Sequence, residues 1–188
     1  NVLALTGDLV TAGDQPQAKP VFDIDSVHLL KMIDNLNNGM DLSGKDIAGK
    51  TSFFSGAAVD PGADPITPQF IKFKQKIESG SRFFQTQSVF NIEILDSFMK
   101  KITQPDVRIL GGVLVLKSAK MARFLNENVP GIEIDEATIH ELEKDPKPPS
   151  RGIKLAVKLV REMREICHGV HIMSIGREEI VPEILKQV

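Results

Sequence analysis

Few groups in this 188-residue sequence are equipped for chemistry. A carboxylate, Asp8, closes the first apolar segment, VLALTGD, and two amides, Gln85 and Gln87, sit inside FFQTQSVF (83–90). Alternate side chains of a strand point to opposite faces, so Gln85 and Gln87 share one face. The segment otherwise asks for burial, and a buried amide without partners costs about 1–3 kcal/mol. The two glutamines therefore need something to face. Lysines recur at 72, 74 and 76. At helical spacing Lys72 and Lys76 share a face and Lys74 points elsewhere. A solvated stripe is the ordinary role of such lysines, and one near a binding rim could pair with phosphate. The histidines are His28, His140, His168 and His171. In CHGVH (167–171), Cys167 and His168 precede a strand and His171 lies within it; with no second cluster, a metal site is not expected. There is no G-x-S-x-G and no P-loop, and no serine or cysteine has an evident base. Asp8, the two glutamines and a few lysines are poorly suited to hydrolysis. They suit a site that holds a cofactor which itself performs the reaction.

Positioning these groups falls to short apolar runs alternating with longer amphipathic segments. The strand candidates are 2–7, 52–59, 83–89, 107–115 and 169–175. Helices are predicted near 25–37, 67–79, 92–103, 118–127, 136–144, 152–166 and 178–187. Asp25 or Ser26 can cap the first and Ser118 starts the fourth, and Pro182 falls in the first turn of the last. DPKPPSRG (145–152) reads as a turn-rich hinge within one domain, 1–188. Strict alternation implies parallel strands joined by right-handed crossovers. Two architectures fit. One is a complete five-stranded doubly wound sheet of flavodoxin type. The other is five of the eight strands of a (β/α)8 TIM barrel, which typically needs about 250 residues. The shared polar face of Gln85 and Gln87 leans toward the barrel, because a doubly wound sheet is apolar on both faces. Small residues recur at the strand ends, at Gly7, at Gly56–Ala58 and at Gly111–Gly112, and two readings stay open: tight helix packing, or room for a flat ligand against the backbone. Asp8 standing alone would be an ordinary turn aspartate.

Composition narrows the function classes. The chain is 41% hydrophobic and 26% charged with net charge −2, ordinary for a globular protein and without the basic footprint of a nucleic-acid binder. No apolar run approaches the ~18 residues of a membrane-spanning helix. A single cysteine excludes an internal disulfide and fits a cytoplasmic setting. The sequence opens at Asn1 directly in an apolar segment without the features of a signal peptide. The expectation is that an upstream part of the domain precedes it.

Five blocks carry a resemblance: NVLALTGD (1–8), VFDIDSVHLLKMIDNLNNG (21–39), GAAVDPGADP (56–65), KIESGSRFFQTQSVF (76–90) and ILGGVLVLKSAKMARFLNENVPGI (109–132). In order and spacing they resemble the 5,10-methylenetetrahydrofolate reductase family, and the likeness reaches GVHIMSIG at 169–176. It is nearest to the form whose second strand reads G-A-A-V-x-P, found alone or fused behind a homocysteine methyltransferase domain. The resemblance implies a (β/α)8 barrel with FAD at its carboxyl rim, here covering about strands 4–8. It implies flavin-dependent reduction of methylenetetrahydrofolate to 5-methyltetrahydrofolate, in one-carbon metabolism and methionine biosynthesis. Thr6, Gly7, Asp8, Ala57, Ala58 and Lys76 would hold the flavin, Asp8 would also act in catalysis, and Gln87 would contact the pterin. The electron donor would be NAD(P)H or a redox partner subunit, and a homo-oligomer or a complex with the remaining barrel is expected. The alternative is a cofactor-poor, reductase-like binding subunit. Departures occur at Val59–Ala63, which lacks the aromatic residue and histidine of some members, and at Gln69, where several place an acid. The family's general acid belongs to the first barrel strand, upstream of Asn1, so this chain alone is expected to be inactive.

Overall fold

The computed structural model describes residues 1–7, 10–102, 106–129 and 131–188. Its strands are β1 (Val2–Ala4), β2 (Ser55–Val59), β3 (Phe83–Ser88), β4 (Arg108–Leu114) and β5 (Gly169–Met173). Its helices are α1 (Ser26–Asn37), α2 (Thr67–Glu78), α3 (Ile92–Lys101), α4 (Ala119–Asn128), α5 (Glu136–Glu143), α6 (Ser150–Arg164) and α7 (Val181–Leu185). All five expected strands and all seven helices form, several with shorter bounds. The strands make one sheet in the order β1-β2-β3-β4-β5, and the β1–β2 and β4–β5 ladders are parallel. A doubly wound sheet reverses its order at a switch point. No reversal occurs here, so the flavodoxin-type alternative falls away.

The chain divides into two compact units, Asn1–Ala58 with Phe70–Phe84, and Val59–Gln69 with Gln85–Val188. In the first, α1 begins where Asp25 caps it, accepting the N–H groups of Val27 and His28 at 2.9 and 3.0 Å. The helix buries Leu30 and Ile33. The apolar run 2–7 yields only three strand residues, Val2–Ala4; beyond them the Thr6 Oγ1 accepts the Ser26 N–H at 3.2 Å. Likewise β2 starts at Ser55 because the Asn37 side chain occupies both backbone groups of Phe53, at 2.8 and 2.9 Å. Phe84 of β3 packs on Phe73 of α2 with ring centroids 4.4 Å apart.

In the second unit, successive residues from β4 onward serve two cores, as strand alternation dictates. Val113 and Val115 pack with Ile153, Val157 and Val160 of α6. Leu114 and Leu116 pack with Leu125 of α4 and Ile139 of α5. Asn91, Ser118 and Asp135 cap α3, α4 and α5. The 145–152 segment is held rather than loose: the Asp145 carboxylate accepts from Lys147 N, Ser150 Oγ and Arg151 N. Pro182 stands in the first turn of α7, following a 3-10 turn at Glu178–Ile180. Among the described residues no helix is long and apolar enough to cross a membrane.

Candidate functional site

The first unit positions Thr6, Gly7, Ala57, Ala58 and Lys76. In the β1–β2 register Ala4 lies opposite Ala57, so the residues leaving β1 run beside the end of β2. Thr6 is exposed, but its hydroxyl also bonds Ser26 Oγ at 3.2 Å, fastening the β1 exit to the start of α1. Gly7 takes φ +85°, and a Cβ there would meet nothing within 4 Å. Ala57 is fully buried and Ala58, pointing to the opposite face, is half-buried. Asp8 lies outside the described residues.

Gly56 turns out not to be an opening. A Cβ there would fall 2.4 Å from the Phe83 ring, which itself stacks on Phe54 at 5.6 Å. Glycine is needed because an aromatic ring fills the place of the side chain.

The three lysines separate sharply. Lys72 pairs with Asp25 at 3.0 Å and Lys74 lies 3.8 Å from Glu78, both at the surface. Lys76 is half-buried, and its Nζ donates to the Ala58 carbonyl at 2.7 Å. Burial pushes the Lys76 pKa down, nearby Lys72 adds to this, and Asp25 opposes it. Asp25 is held well below the usual carboxylate range, chiefly by the His28 backbone N–H and also by Lys72.

The second unit positions the glutamines. As alternation requires, Phe84 and Thr86 are buried, Gln85 is half-buried and Gln87 is exposed. Thr86, absent from the expected site, is what holds the strand end. Its Oγ1 accepts the buried Gly112 N–H at 2.8 Å and donates to the Gln87 carbonyl at 2.7 Å. Gly112 closes the clamp, accepting the Val89 N–H at 2.9 Å. A Cβ on Gly112 would lie 2.6 Å from the carbonyl oxygens of Thr86 and Gln87. On Gly111 it would lie 2.5 Å from Met163 Sδ. The expected opening at 111–112 is thus a mid-strand close approach of chain to chain. A threonine between two glutamines facing the other way was the available signal for the clamp.

The loop after β2 folds on itself. Val59 and Pro61 are buried, and Asp60 Oδ1 accepts the Gly62 N–H at 2.9 Å. Burial raises the Asp60 pKa, opposed by the Gly62 bond. Burial likewise pushes the Cys167 thiol up to about 11, leaving it unreactive. Among the described residues no three His, Cys, Asp or Glu side chains gather around a metal-sized site.

The residues present accept a flavin in part. Exposed backbone at Thr6–Gly7, the short side chain of Ala58 and the ammonium of Lys76 fit a flat, polar group, whereas the buried methyl of Ala57 could touch none. None of the curated proteins matches the chain. Among solved structures it resembles an uncharacterized protein from Clostridium thermocellum that binds two copies of 5-methyl-5,6,7,8-tetrahydrofolic acid. The identity is 18%, the alignment covers 82% of this chain and 67% of that one, and the TM-score is 0.52, a likeness of fold. The family model of methylenetetrahydrofolate reductase matches residues 1–188. The chain belongs to the methylenetetrahydrofolate reductase family.

Proposed function

We propose that the chain supplies part of a flavin-dependent reductase that converts 5,10-methylenetetrahydrofolate to 5-methyltetrahydrofolate. The observation that carries this reading is the family match over all 188 residues, with Gln87 presented at the carboxyl end of β3. An amide has both a donor and an acceptor for the edge of a pterin ring. The folate bound by the Clostridium thermocellum relative supports the same ligand class. FAD would supply the hydride; Thr6, Gly7, Ala58 and Lys76 would hold it, with Asp8 beside it as the catalytic carboxylate. The Ala57 contribution would come through its neighbours, since its own side chain is buried. Five strands in sequential order support an arc of a (β/α)8 barrel, completed by further βα units or by a partner that carries them. NAD(P)H or a redox subunit would reduce the flavin.

The test is reconstitution with the remaining barrel units. A yellow protein that oxidises 5-methyltetrahydrofolate, and loses folate affinity in Gln87→Ala, is expected. A reconstituted protein with neither bound flavin nor folate affinity would overturn the reading.

A second reading is a folate-binding subunit with little flavin. It is favoured by the loop after β2, where Asp60 turns inward to Gly62 and no aromatic side chain is offered. Folate binding that persists without any flavin absorbance would select it.

A further inference from the structure

Past the end of their ladder, β4 and β5 leave the sheet side by side. Leu114 lies opposite Met173, and the Val115 N–H donates to the Met173 carbonyl at 3.1 Å. Two residues further along each chain stand Lys117 and Ile175. The half-buried Lys117 donates from its ammonium to the Ile175 carbonyl. Its charge reaches Glu179, but that carboxylate is paired with Arg177 Nε at 2.6 Å.

Ile175 takes φ +46° and is the one non-glycine residue at positive φ among the described residues. A β-branched side chain is crowded against the backbone in that conformation. Burial gives nothing in return, since Ile175 is 54% exposed. Other contacts must hold the backbone there, and the peptide joining Ile175 to Gly176 is gripped at both ends. Its carbonyl meets the Lys117 ammonium, and its N–H donates to Glu178 Oε1 at 3.1 Å. The same carboxylate oxygen accepts from the buried Ser174 hydroxyl at 3.2 Å. A trans peptide directs its C=O and N–H to opposite sides, so a cation at one and an anion at the other oppose its rotation. Gly176 follows at φ +72°, which glycine adopts without strain.

Strained backbone that persists is over-determined by its surroundings, and such residues gather at functional sites. The position agrees. β3, β4 and β5 are neighbours in the sheet, so this loop stands at the carboxyl rim two strands from Gln87, the edge where barrels take ligands.

We propose that Lys117 is a positioning residue of the folate site, a role that rests on the reductase reading above. It fixes the Ile175–Gly176 peptide, and with it the wall that the loop after β5 offers at the rim, in an orientation that the chain would otherwise abandon. Lys117 acts through this peptide and touches no ligand.

Amide hydrogen exchange on the ¹⁵N-labelled full chain reads the grip directly. Lys117→Met should speed exchange of the Gly176 N–H by about tenfold or more, the worth of a hydrogen bond to a charged group. Lys117→Arg, which can still donate to the carbonyl, should stay near wild type. Ile175→Gly removes the crowding, so adding it to Lys117→Met should recover most of the protection. In the reconstituted protein, Lys117→Met should weaken 5-methyltetrahydrofolate binding by about fivefold or more. The urea midpoint should change little, because release of strain offsets the lost bond. Adding Ile175→Gly should restore affinity. A merely structural lysine would lower the midpoint and leave affinity intact. Far-UV circular dichroism establishes that each variant is folded. Unchanged Gly176 exchange in folded Lys117→Met, or no recovery on adding Ile175→Gly, would overturn the grip. Faster exchange with undiminished folate affinity would overturn the positioning role alone. A reconstituted wild type without folate affinity would overturn the reductase reading and this role with it, while the exchange rates still decide the grip.

Discussion

Thr86→Val tests whether the end of β3 is held by the hydroxyl clamp. Valine keeps the volume and β-branching of threonine but removes Oγ1. Two bonds go with it, the 2.8 Å bond from the buried Gly112 N–H and the 2.7 Å bond to the Gln87 carbonyl. Thr86 is only 5% exposed, so water cannot easily replace the lost acceptor. A buried N–H left unpaired costs about 1–3 kcal/mol. The Gln87 carbonyl adds less, since water can reach that exposed residue. The sum is about 2–3 kcal/mol. Thr86→Ser keeps both bonds and loses one buried methyl, about 1 kcal/mol. Urea denaturation measures the difference. With a slope of about 2 kcal/mol per molar, Val should lower the midpoint by about 1–1.5 M and Ser by about half a molar. Folate affinity should fall further in Val than in Ser, because Gln87 loses its backbone anchor. A Val variant as stable as Ser, at unchanged slope, would refute the clamp.

Asp25→Ala removes the α1 cap and the Lys72 partner, and should cost about 1–2 kcal/mol near neutral pH. The folded Asp25 pKa lies below its unfolded value. Its stabilisation is therefore complete above the unfolded pKa and lost as pH falls through the folded one. The gap between wild type and variant in urea midpoints should close in acid. For Lys76 the folded pKa is lowered from 10.5; between the two values the unfolded chain holds the extra proton, so stability rises with pH. Melts in the alkaline range should show that rise in wild type and not in Lys76→Met, which should also weaken flavin binding in the reconstituted protein. Gly152→Ala places a Cβ 1.8 Å from the Leu116 carbonyl oxygen. Since backbone must move to relieve it, a loss of at least about 3 kcal/mol is expected by the same denaturation assay.

Much of the architecture was legible because it depends on local pattern. Apolar runs at strand length, amphipathic stripes and the caps Asp25 and Ser118 are read within a few residues of one another, and the elements form where they point. Boundaries were less legible, because a strand can end where its backbone is taken by a distant side chain, as the Asn37 side chain takes both backbone groups of Phe53 ahead of β2. The small residues were ambiguous for a related reason. Glycines at 56, 111 and 112 allowed either close packing or an opening for a ligand, and the space beside them is filled by Phe83, Met163 and the backbone of β3.

The site divides the same way. By itself the sequence determined the element order, the common face of Gln85 and Gln87, and the blocks that mark the family. These follow from periodicities of two and 3.6 residues and from the identity of side chains near one another in the chain. Tertiary structure alone decided that Lys76, and not Lys72 or Lys74, reaches the Ala58 carbonyl. It also decided that Thr86 anchors Gln87, and that Asp60 lines a cavity with residues some 30 and 70 positions away. Those outcomes depend on which distant atoms occupy the space around a side chain, and burial then sets its hydrogen bonds and charge. No local spacing encodes that.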